Sequence, residues 1–508
     1  MTLLIKNVRI LGGTRSFPDL ADVFISDDKI SAIGAFPNKK ADEVIEGQGA
    51  NLSPGFIDVN TDSDHYLTLF EYPSQQDFLK QGVTTIFGGT CGSSLAPLLY
   101  GSLESFQKWS DTDRVNVNWH TMAEFLRVLE DRALAINFGT LVGHSTIRRA
   151  LIGDTLRDLT KNELNVFGRV LRTALTEGGF GLSFGLGYVH ARTAPYSELK
   201  FLTNIVKEFR GVTAIHLREQ GHGITESTED AIKLANETGA KMLINHFVPI
   251  AGAEKEYETA RKEIEALPLG TDFRFDLYPS SRLLLPLYTF LPVWVQTGGV
   301  DVMLANLNDE WLLTRIRKEM PELDEKHFVI ALAPNNDFLV GKSLAEIKHM
   351  YGLADGRDAL LHLMITTKLK GGVLYKKLNE GVITRALMSS RSFVASNAPS
   401  FHFAPERGER GKQMKSERTT STFTKFLTLV EEQGIMRIED AVRKITLEPA
   451  RMFGLVGRGE IKEGNIADLA IFQGHEVKFT IVSGKVVVRN GEFQEKFPGK
   501  ILRRTGRS

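Results

Sequence analysis

One cysteine and two histidines stand directly after short apolar segments of this sequence, where parallel β-strands would end. They are Cys91 in GGTCGSSLAP, His216 in AIHLRE and His246 in LINHFVP. A thiolate and two imidazoles form a three-ligand zinc site that leaves one coordination position for water. Each residue alone has a simpler explanation, because a single cysteine is often a small core residue and a single histidine is often only hydrogen-bonded. Together they are candidates for a site that holds one zinc ion.

A second group of polar residues follows the apolar segment 56–59 (FIDV), which begins directly after a Pro-Gly turn. Two metal-binding histidines spaced two residues apart would suit this position, but the chain has Asn60 and Asp62 there, and His65 is out of step. Asparagine offers one neutral carbonyl oxygen, which is a poor exchange for an imidazole on a transition metal. Asp62 can still bind a metal ion or accept a proton. The pattern leaves open whether this site is damaged, rebuilt or unrelated.

The elements that must position these side chains alternate between short apolar strands and helices. Apolar segments such as VTTIFGG, FGTLVGH, GVTAIHLRE and AKMLINHFVP recur, and the segment 227–239 (STEDAIKLANETG) has the capping residues of a helix. Buried strands that alternate with helices predict a parallel α/β fold. We predict a (β/α)₈ TIM-like barrel, whose chemistry lies at the carboxyl ends of its strands. Cys91, His144, His216 and His246 all follow predicted strands.

The two ends of the chain have the alternating pattern of half-buried strands with turns. They predict a small composite β-sandwich domain of residues 1–55 and 456–498, attached to a barrel of residues 56–455. The barrel pattern breaks near 280–344, which indicates an insertion. The charged segment 406–420 (ERGERGKQMKSERTT) is interpreted as a long mobile loop. Residues 499–508 are interpreted as a basic tail that is solvated and frayed.

Composition restricts the classes of partner. The 508 residues include 62 basic and 62 acidic side chains, so the formal net charge of zero does not favour nucleic acid or an anionic membrane surface. The longest apolar run, LLLPLYTFLPVWV, is too short to span a bilayer and contains two prolines. A single cysteine excludes an intramolecular disulfide. We expect a cytoplasmic protein with a small-molecule substrate; a homo-oligomer fits a barrel of this kind, although the sequence does not determine it.

A longer series of segments resembles the N-acyl-D-amino-acid deacylase (D-aminoacylase) branch of the amidohydrolase superfamily over nearly the whole chain. The segments occur in the order LSPGFIDV, QGVTTIFGGTCGSSLAPL, LVGHSTIRRALIG, GLSFGLGY, IHLRE, INHF, DLYP, LPVWVQTGG, AVRKITLEPARMFGLVGRGEIKEGNIADLAIF and GKVVVRNGEF. The resemblance implies an amidohydrolase barrel with a composite β-domain and an insertion. It also implies a hydrolase that acts on carbon–nitrogen bonds other than peptide bonds.

Carried over residue by residue, the resemblance implies zinc ligands at Cys91, His216 and His246. It also implies substrate contacts, for which the candidates are Tyr188, Tyr278, Arg218 and Arg418. Several positions depart from the family pattern. The His-x-His pair of a second metal position falls on Asn60 and Asp62, and the lysine two residues past the second histidine falls on Val248. The family has an acidic residue at the position that Gln220 occupies here, and the acidic residue of this chain stands one position earlier, at Glu219.

The most consequential departure is Asn397 in ASNAPS, where the family has a catalytic aspartate. That aspartate takes a proton from the attacking water and passes it to the leaving nitrogen, and an amide cannot do so near neutral pH. Loss of a positioned general base typically removes about 10²–10⁴-fold in rate. The candidate replacements are Asp62, His65, His144, His190 and His402. For His144, which also occurs in the family motif, a structural or substrate-orienting role is the simpler interpretation.

Three functions follow from these residues. The first is a one-zinc hydrolase that cleaves an amide or related C–N bond of an N-acyl amino-acid-like substrate through a modified proton relay. The second is an enzyme with the same pocket but different chemistry, such as amide formation, cyclisation or elimination. The third is a non-catalytic protein with the amidohydrolase fold. The retained Cys91, His216 and His246 argue against the third function, and Asn397 argues against the first.

Overall fold

The computed structural model describes residues 1–12, 20–100, 103, 112, 115–153, 155–297, 299–401 and 414–504. The strands in these ranges are β1 (Thr2–Ile10), β2 (Ala21–Ser26), β3 (Lys29–Gly34), β4 (Glu43–Glu46), β5 (Asn51–Pro54), β6 (Phe56–Asp58), β7 (Val83–Gly88), β8 (Asn137–Thr140), β9 (Val142–Gly143), β10 (Gly181–Gly185), β11 (Val212–His216), β12 (Lys241–Ile244), β13 (Phe273–Leu277), β14 (Arg282–Pro286), β15 (Phe328–Leu332), β16 (Gly372–Lys376), β17 (Ser392–Val394), β18 (Leu469–Gln473), β19 (Glu476–Val482), β20 (Lys485–Arg489) and β21 (Glu492–Phe493).

The helices in the same ranges are α1 (Thr68–Glu71), α2 (Gln76–Leu79), α3 (Met122–Arg132), α4 (His144–Ile152), α5 (Lys161–Thr176), α6 (Val189–Arg192), α7 (Tyr196–Glu208), α8 (Ile224–Thr238), α9 (Glu254–Glu265), α10 (Gly299–Asn308), α11 (Glu310–Glu319), α12 (Leu344–Tyr351), α13 (Gly356–Thr366), α14 (Glu380–Met388), α15 (Glu417–Gln433), α16 (Ile438–Ile445) and α17 (Leu447–Phe453). Short 3₁₀ helices occur at Leu287–Phe290, Glu325–His327 and Asp337–Leu339. Among these helices, none combines the length and the apolar character needed to cross a bilayer.

The core of the molecule is the predicted parallel barrel. Its strands pair in the order β6-β7-β8 and β9-β10-β11-β12-β13-β17, and every one of these pairs is parallel. Strands β8 and β9 are one strand interrupted at Leu141, so the barrel has eight strand positions. Backbone hydrogen bonds join its two edges: Asn397 N–H donates to the Asn60 carbonyl at 2.8 Å, and Asp62 N–H donates to the Ala398 carbonyl at 3.1 Å. This closure brings Asn397 beside Asn60 and Asp62, although Asn397 is more than 330 residues from both along the chain.

The barrel strands are short and apolar because both of their faces are covered. Strand β7 is buried at all six positions and β10 at all five, and β13 is buried at four of its five positions. Inward-facing Phe87, Phe180, Leu243 and Phe393 fill the barrel interior, while a second, larger cluster packs the strands against the surrounding helices. Polar residues at the strand ends are thereby left at one end of a rigid scaffold.

Both ends of the chain contribute to one nine-stranded sheet. Its order is β21-β20-β19-β18-β5-β1-β2-β3, with β4 paired to β1, and the two halves share one hydrophobic cluster. Asp468 fastens this sheet to the barrel, because its carboxylate accepts hydrogen bonds from Asn137 Nδ2 at 3.0 Å and from the Ser483 backbone at 2.7 Å. Arg458 forms a close, buried ion pair with the same carboxylate. The exact domain boundaries remain a prediction.

The segment outside the barrel is longer than the insertion predicted near 280–344. Strands β14, β15 and β16 form a separate antiparallel sheet that extends to Lys376. With helices α10–α13, this sheet encloses its own hydrophobic cluster, which ends at Tyr375 and includes Met414 as a peripheral member. The sequence pattern missed the second half of this unit because α12 and α13 have the same apolar periodicity as barrel helices.

Two expectations about irregular segments were wrong where the structure describes them. In the segment 406–420, the last four residues already belong to α15; positions 406–413 lie outside the described residues. The tail is docked through residue 504 rather than frayed: Leu502 N–H donates to the Phe138 carbonyl at 2.7 Å, and Arg504 donates to the Phe209 and Phe453 carbonyls. Charge composition predicted solvation, but Arg504 satisfies carbonyl groups at the ends of helices α7 and α17.

Candidate metal and substrate site

Cys91, His216 and His246 meet at the carboxyl ends of the barrel strands. Their ligand atoms all lie within 4.8 Å of one another. Cys91 Sγ is 3.3 Å from His246 Nε2, and His246 Nε2 is 3.0 Å from His216 Nδ1. Strand β11 ends at His216, and His246 follows β12 by two residues, so neighbouring parallel strands supply both imidazoles. The structure thus brings the three predicted ligands together.

The turn that carries Cys91 is held in an unusual backbone conformation. Cys91 has φ of 52° and lies between Gly89 and Gly92, which also have positive φ. Ser183 on β10 locks this turn, because its hydroxyl donates to the Gly89 carbonyl at 2.6 Å and accepts from the Gly92 N–H at 3.0 Å. His246 has φ of 36°. Non-glycine residues in this region carry a conformational cost and concentrate at functional sites.

The ring of His216 is fixed by packing. Gly187 leaves room for it, since a Cβ at position 187 would lie 2.5 Å from His216 Nε2. The Tyr188 ring packs against the other side, with its centroid 4.8 Å from that of the imidazole. His216 therefore presents Nδ1, not Nε2, towards Cys91 and His246.

Burial sets the protonation of these groups. It lowers the pKa of His246 to about 4, and burial together with the neighbouring His246 lowers the pKa of His216 well below its usual value. Burial raises the pKa of the Cys91 thiol, and the carboxylates of Asp62 and Asp276 raise it further. Both imidazoles are therefore neutral, which is the form that binds metal, and a divalent cation would favour the thiolate.

The geometry of the three residues fits a zinc ion. With usual Zn–N and Zn–S bond lengths, tetrahedral coordination separates two nitrogens by about 3.3 Å and sulfur from nitrogen by about 3.6 Å. The measured separations of 3.0 and 3.3 Å are each within about 0.3 Å of these values. One thiolate and two imidazoles also match the ligand types that zinc prefers.

Asn60 does not face the metal ligands but turns into the barrel. Its Nδ2 lies 3.3 Å from Oδ1 and 3.4 Å from Oδ2 of Asp276, and it is fully buried. Asp276 also accepts from Asn245 Nδ2 at 2.7 Å and from the His246 N–H at 2.7 Å. Burial raises the pKa of Asp276 to about 6 against these hydrogen bonds. The position predicted for a lost metal ligand instead helps hold the carboxylate beneath His246.

Asp62 and His65 form an ion pair in the cavity that contains the metal ligands. His65 Nδ1 lies 3.2 Å from Asp62 Oδ1, and His65 Nε2 lies 3.2 Å from the Ser93 carbonyl oxygen. Both nitrogens face acceptors, so both must carry hydrogen. Although burial lowers the pKa of His65, the carboxylates of Asp64 and Asp62 outweigh it and raise the pKa to about 9. His65 is therefore a cation at neutral pH.

The cavity around these groups has a volume of about 360 Å³. Asp62, Asn397, Arg418, Tyr188 and Tyr278 all line it. Arg418 is buried, its guanidinium lies 4.6 Å from the centroid of the Tyr278 ring, and its Nε has no hydrogen-bond partner among the described residues. A buried guanidinium with an unsatisfied donor in a cavity is suited to bind a carboxylate.

The remaining wall of the cavity is largely apolar. Strand β14 and the turn after it contribute most of these lining residues, and the segment before α1, the start of α6 and the loop after β12 add one each. The apolar and aromatic members are Tyr66, Val189, Val248, Leu283, Leu284, Leu285, Pro286, Tyr288 and Val293. The insertion therefore forms part of the cavity wall.

Two predicted site residues lie elsewhere. His144 is fully buried outside the cavity, where its Nε2 is 2.7 Å from Glu198 Oε1, and Arg148 pairs with the same carboxylate. The structure places His144 outside the cavity because it follows a strand end but enters helix α4, whose side chains pack against α5 and α7. Arg218 donates to the Ala194 carbonyl at 3.2 Å and lines a separate cavity of about 40 Å³ beside α8. Arg218, which the resemblance suggested as a substrate contact, lies two residues past the end of β11, where the regular alternation of strand side chains no longer holds.

Of the two other candidate bases, the structure describes only His190. His190 is buried in α6 and is not among the residues that line the cavity. His402 lies outside the described residues. Among the proposed replacements for the missing base, Asp62 and His65 are the ones that the structure places beside the metal ligands.

Sequence reasoning missed three functional positions. Asp276 in DLYP was detectable, because it is a polar residue at the end of an apolar strand, like the metal ligands. Gln220 was noted only as a departure, yet its side-chain amide lies 2.8 Å from His246 Nδ1. Arg192 lines the cavity and forms a close ion pair with Glu219. No local pattern distinguishes Arg192 from an ordinary helix-end arginine.

Comparisons with known proteins agree with this architecture. The amidohydrolase family matches residues 400–487. An N-acyl-D-aspartate deacylase of Alcaligenes xylosoxydans xylosoxydans is 27% identical over 90% of this chain and 83% of its own length. A D-aminoacylase of the same organism is 25% identical over 99% of this chain and 98% of its own length.

A solved structure has the same fold from end to end. It is an N-acyl-D-glutamate deacylase from Bordetella bronchiseptica, crystallised with zinc and a phosphonate that mimics the tetrahedral intermediate. The two chains align with a TM-score of 0.78 and 23% identity, and the alignment covers 99% of each. This likeness shows that the chain has the fold of that structure. Over nearly its whole length, the chain is similar to the D-aminoacylase branch of the amidohydrolase superfamily.

Proposed function

We propose that this protein is a hydrolase that cleaves the amide bond of N-acyl amino acids with one zinc ion, and that Asp62 replaces the family's catalytic aspartate. The observation that carries this proposal is the position of Asp62. Its carboxylate lines the same cavity as Cys91, His216 and His246 and is held there by His65. The relatives of this chain are named an N-acyl-D-aspartate deacylase and a D-aminoacylase, which supports N-acyl amino acids as the substrate class.

The reaction requires a group that moves one proton twice. A zinc ion at the cysteine and the two histidines would acidify the attacking water and polarise the scissile carbonyl. Asp62 would accept the proton from the water as the new C–O bond forms. The same proton would pass to the amide nitrogen as the C–N bond breaks, which releases a carboxylate and an amine. Asn397 has no proton to exchange and serves at most as a hydrogen-bonding group.

His65 has a supporting role in this proposal. Its Nδ1–H donates to Asp62 and its Nε2–H donates to the Ser93 carbonyl, so two contacts fix the ring. The imidazolium fixes the orientation of the Asp62 carboxylate before the reaction. It also pairs with the carboxylate that would carry the proton, which reduces the cost of burying that carboxylate.

The walls of the cavity indicate the kind of amino acid. Arg418, on the ring of Tyr278, is suited to bind the substrate's carboxylate. Val248 is buried in the lining at the position where the family has a lysine, and Leu283, Leu284 and Leu285 form an adjacent apolar surface. We propose that the substrate side chain is apolar, because a second carboxylate would be desolvated there without a partner.

Zinc content and replacement of Asp62 test this function. Purified protein should contain about one zinc ion per chain and release free amino acid from N-acetylated leucine or phenylalanine of one configuration. Asp62→Asn should lower kcat by about 10²–10⁴-fold, because the amide cannot carry the proton, while zinc content is unchanged. The exposed Asp131→Asn on α3 is the control and should retain full activity. Protein that binds no zinc, or an Asp62→Asn variant with undiminished kcat, would contradict the proposal.

One observation favours the second function, in which the pocket catalyses different chemistry. The amide of Asn397 lines the cavity where a titratable group is expected, so the missing proton carrier can reflect a reaction that does not need one. Product analysis separates the two functions. A zinc-loaded protein that converts N-acyl amino acids without releasing free amino acid would support cyclisation, elimination or amide formation.

A further inference from the structure

His246 must present a bare Nε2 if it binds a metal ion. This nitrogen lies 3.3 Å from Cys91 Sγ and 3.0 Å from His216 Nδ1, so it faces the other two ligands. A neutral imidazole has one N–H, which must then be on Nδ1. The group that contacts Nδ1 therefore decides whether the ligating tautomer is the stable one.

That group is the side-chain amide of Gln220, 2.8 Å from Nδ1. Gln220 is in the loop after β11, four residues past His216, and its side chain crosses to the end of the neighbouring strand. The amide presents its nitrogen to Nδ1, which suits a ring with hydrogen on Nε2. A half-turn about the terminal bond presents the oxygen instead, which suits a ring with hydrogen on Nδ1. An amide can thus satisfy both tautomers, whereas a carboxylate can only accept.

We propose that Gln220 is the positioning residue for His246: its amide oxygen holds the Nδ1–H tautomer when zinc binds, and its neutral charge leaves the zinc more electrophilic than a carboxylate partner would. A carboxylate at this position would make the imidazole a stronger donor and neutralise more of the charge on the metal. The neutral amide thus favours acidification of the attacking water in a site whose usual base is absent.

This inference rests on the zinc centre of the proposed function. It also explains the direct contact between Gln220 and His246, which the proposed function leaves unexplained. The opposite face of His246 is fixed separately, because its backbone N–H donates to Asp276 at 2.7 Å. Asp276 thus fixes the backbone position of His246, and Gln220 determines which ring nitrogen of His246 is free to bind the metal ion.

The test measures zinc affinity rather than activity. The metal-free full-length protein competes with a chromophoric chelator for Zn²⁺ in the wild type, Gln220→Leu and Gln220→Glu. Gln220→Leu should weaken zinc binding by about 10–100-fold, as replacement of such outer partners does elsewhere. Gln220→Glu should bind zinc at least as tightly as the wild type, because the carboxylate accepts the same N–H.

Gln296→Leu is the matched control. Gln296 lines the same cavity, but its amide donates to the Leu291 carbonyl at 2.8 Å and contacts no metal ligand. Its zinc affinity should equal that of the wild type. The inference is overturned if Gln220→Leu binds zinc within twofold of the wild type, or if Gln296→Leu is weakened as strongly. It is also overturned if Gln220→Glu weakens binding like the leucine variant. A wild type that binds no zinc would instead contradict the proposed function.

A kinetic measurement separates positioning from general stability. In zinc-saturated protein, Gln220→Glu should shift the acidic limb of the kcat–pH profile to higher pH, because a less electrophilic metal acidifies water less. A variant that only loosened the loop would lower kcat without moving the profile. An unshifted profile in Gln220→Glu would overturn the electrostatic part of the inference.

Discussion

At the scale of single residues, the site differs from its predicted pattern chiefly in how its charges are paired. Asp62 was expected either as a metal ligand or as a base, and the structure pairs it with His65. Asn60 was expected as a poor ligand, and it donates to Asp276 beneath His246. Asn60 thus helps to hold another side chain, and His65 supplies a fixed positive charge beside Asp62.

The charge of His65 predicts a pH dependence of stability. Asp64 and Asp62 raise its pKa from 6.5 to about 9 against the effect of burial, so the folded state binds this proton more tightly than the unfolded state. The stabilisation, about 3 kcal/mol, is complete below pH 6.5 and is lost as the pH rises through about 9. Urea unfolding of the wild type and of His65→Gln between pH 6 and pH 10 measures it.

The difference in unfolding free energy between these two proteins isolates the effect, because the other titrating groups are common to both. That difference should shrink steadily between pH 6.5 and pH 9 and be nearly constant below pH 6.5. Two curves that run parallel across the whole range would show that His65 is not charged in the folded protein.

At the scale of elements, the site is assembled from strand ends but oriented by the segments around them. Asp77, in α2, accepts from the Phe401 N–H at 2.9 Å and from Ser400 Oγ at 3.0 Å, and its Oδ1 is 2.5 Å from Lys415 Nζ. The same carboxylate therefore holds the chain on both sides of positions 402–413. Helix α15 begins two residues after Lys415 and carries Arg418 in its first turn.

Replacement of Asp77 should therefore weaken substrate binding without touching the metal. Asp77→Asn removes the charge-assisted bond to Lys415 and should raise KM several-fold, or about 1 kcal/mol of binding, because Arg418 loses part of its support. Arg418→Gln should raise KM more. Zinc affinity should be unchanged in both variants. A normal KM in Asp77→Asn beside a raised KM in Arg418→Gln would contradict the link between Asp77 and Arg418.

At the scale of the whole molecule, a bound zinc ion would directly connect parts of the chain that are distant in sequence. The three ligands come from the turn after β7 and from the ends of β11 and β12, with up to 155 residues between Cys91 and His246. Asp468 and the docked tail similarly join the terminal sheet to the barrel. A bound ion adds its binding free energy to the folded state alone.

Zinc should consequently raise the melting temperature of the wild type but not of a ligand variant. At a free zinc concentration about 100 times Kd, the added stability is about 2.7 kcal/mol, which corresponds to a rise of a few degrees for a chain of this size. Cys91→Ala should show little zinc-dependent rise. Differential scanning calorimetry with and without a chelator provides the measurement, and an equal rise in both proteins would show that Cys91 only packs.

The sequence by itself determined the fold class and placed the three candidate metal ligands at strand ends, because strand length, apolar runs and strand ends are local properties. It also determined that Asn397 cannot carry a proton, since that follows from the amide alone. Only the tertiary structure decided the pairing of Asp62 with His65, the contact of Asn60 with Asp276 and the placement of Arg218 outside the cavity. Asn60 and Asp276 are separated by 216 residues, and barrel closure alone brings them together. Side-chain direction beyond a strand end depends on the loop that follows, and loops lack the regular alternation that makes strands readable.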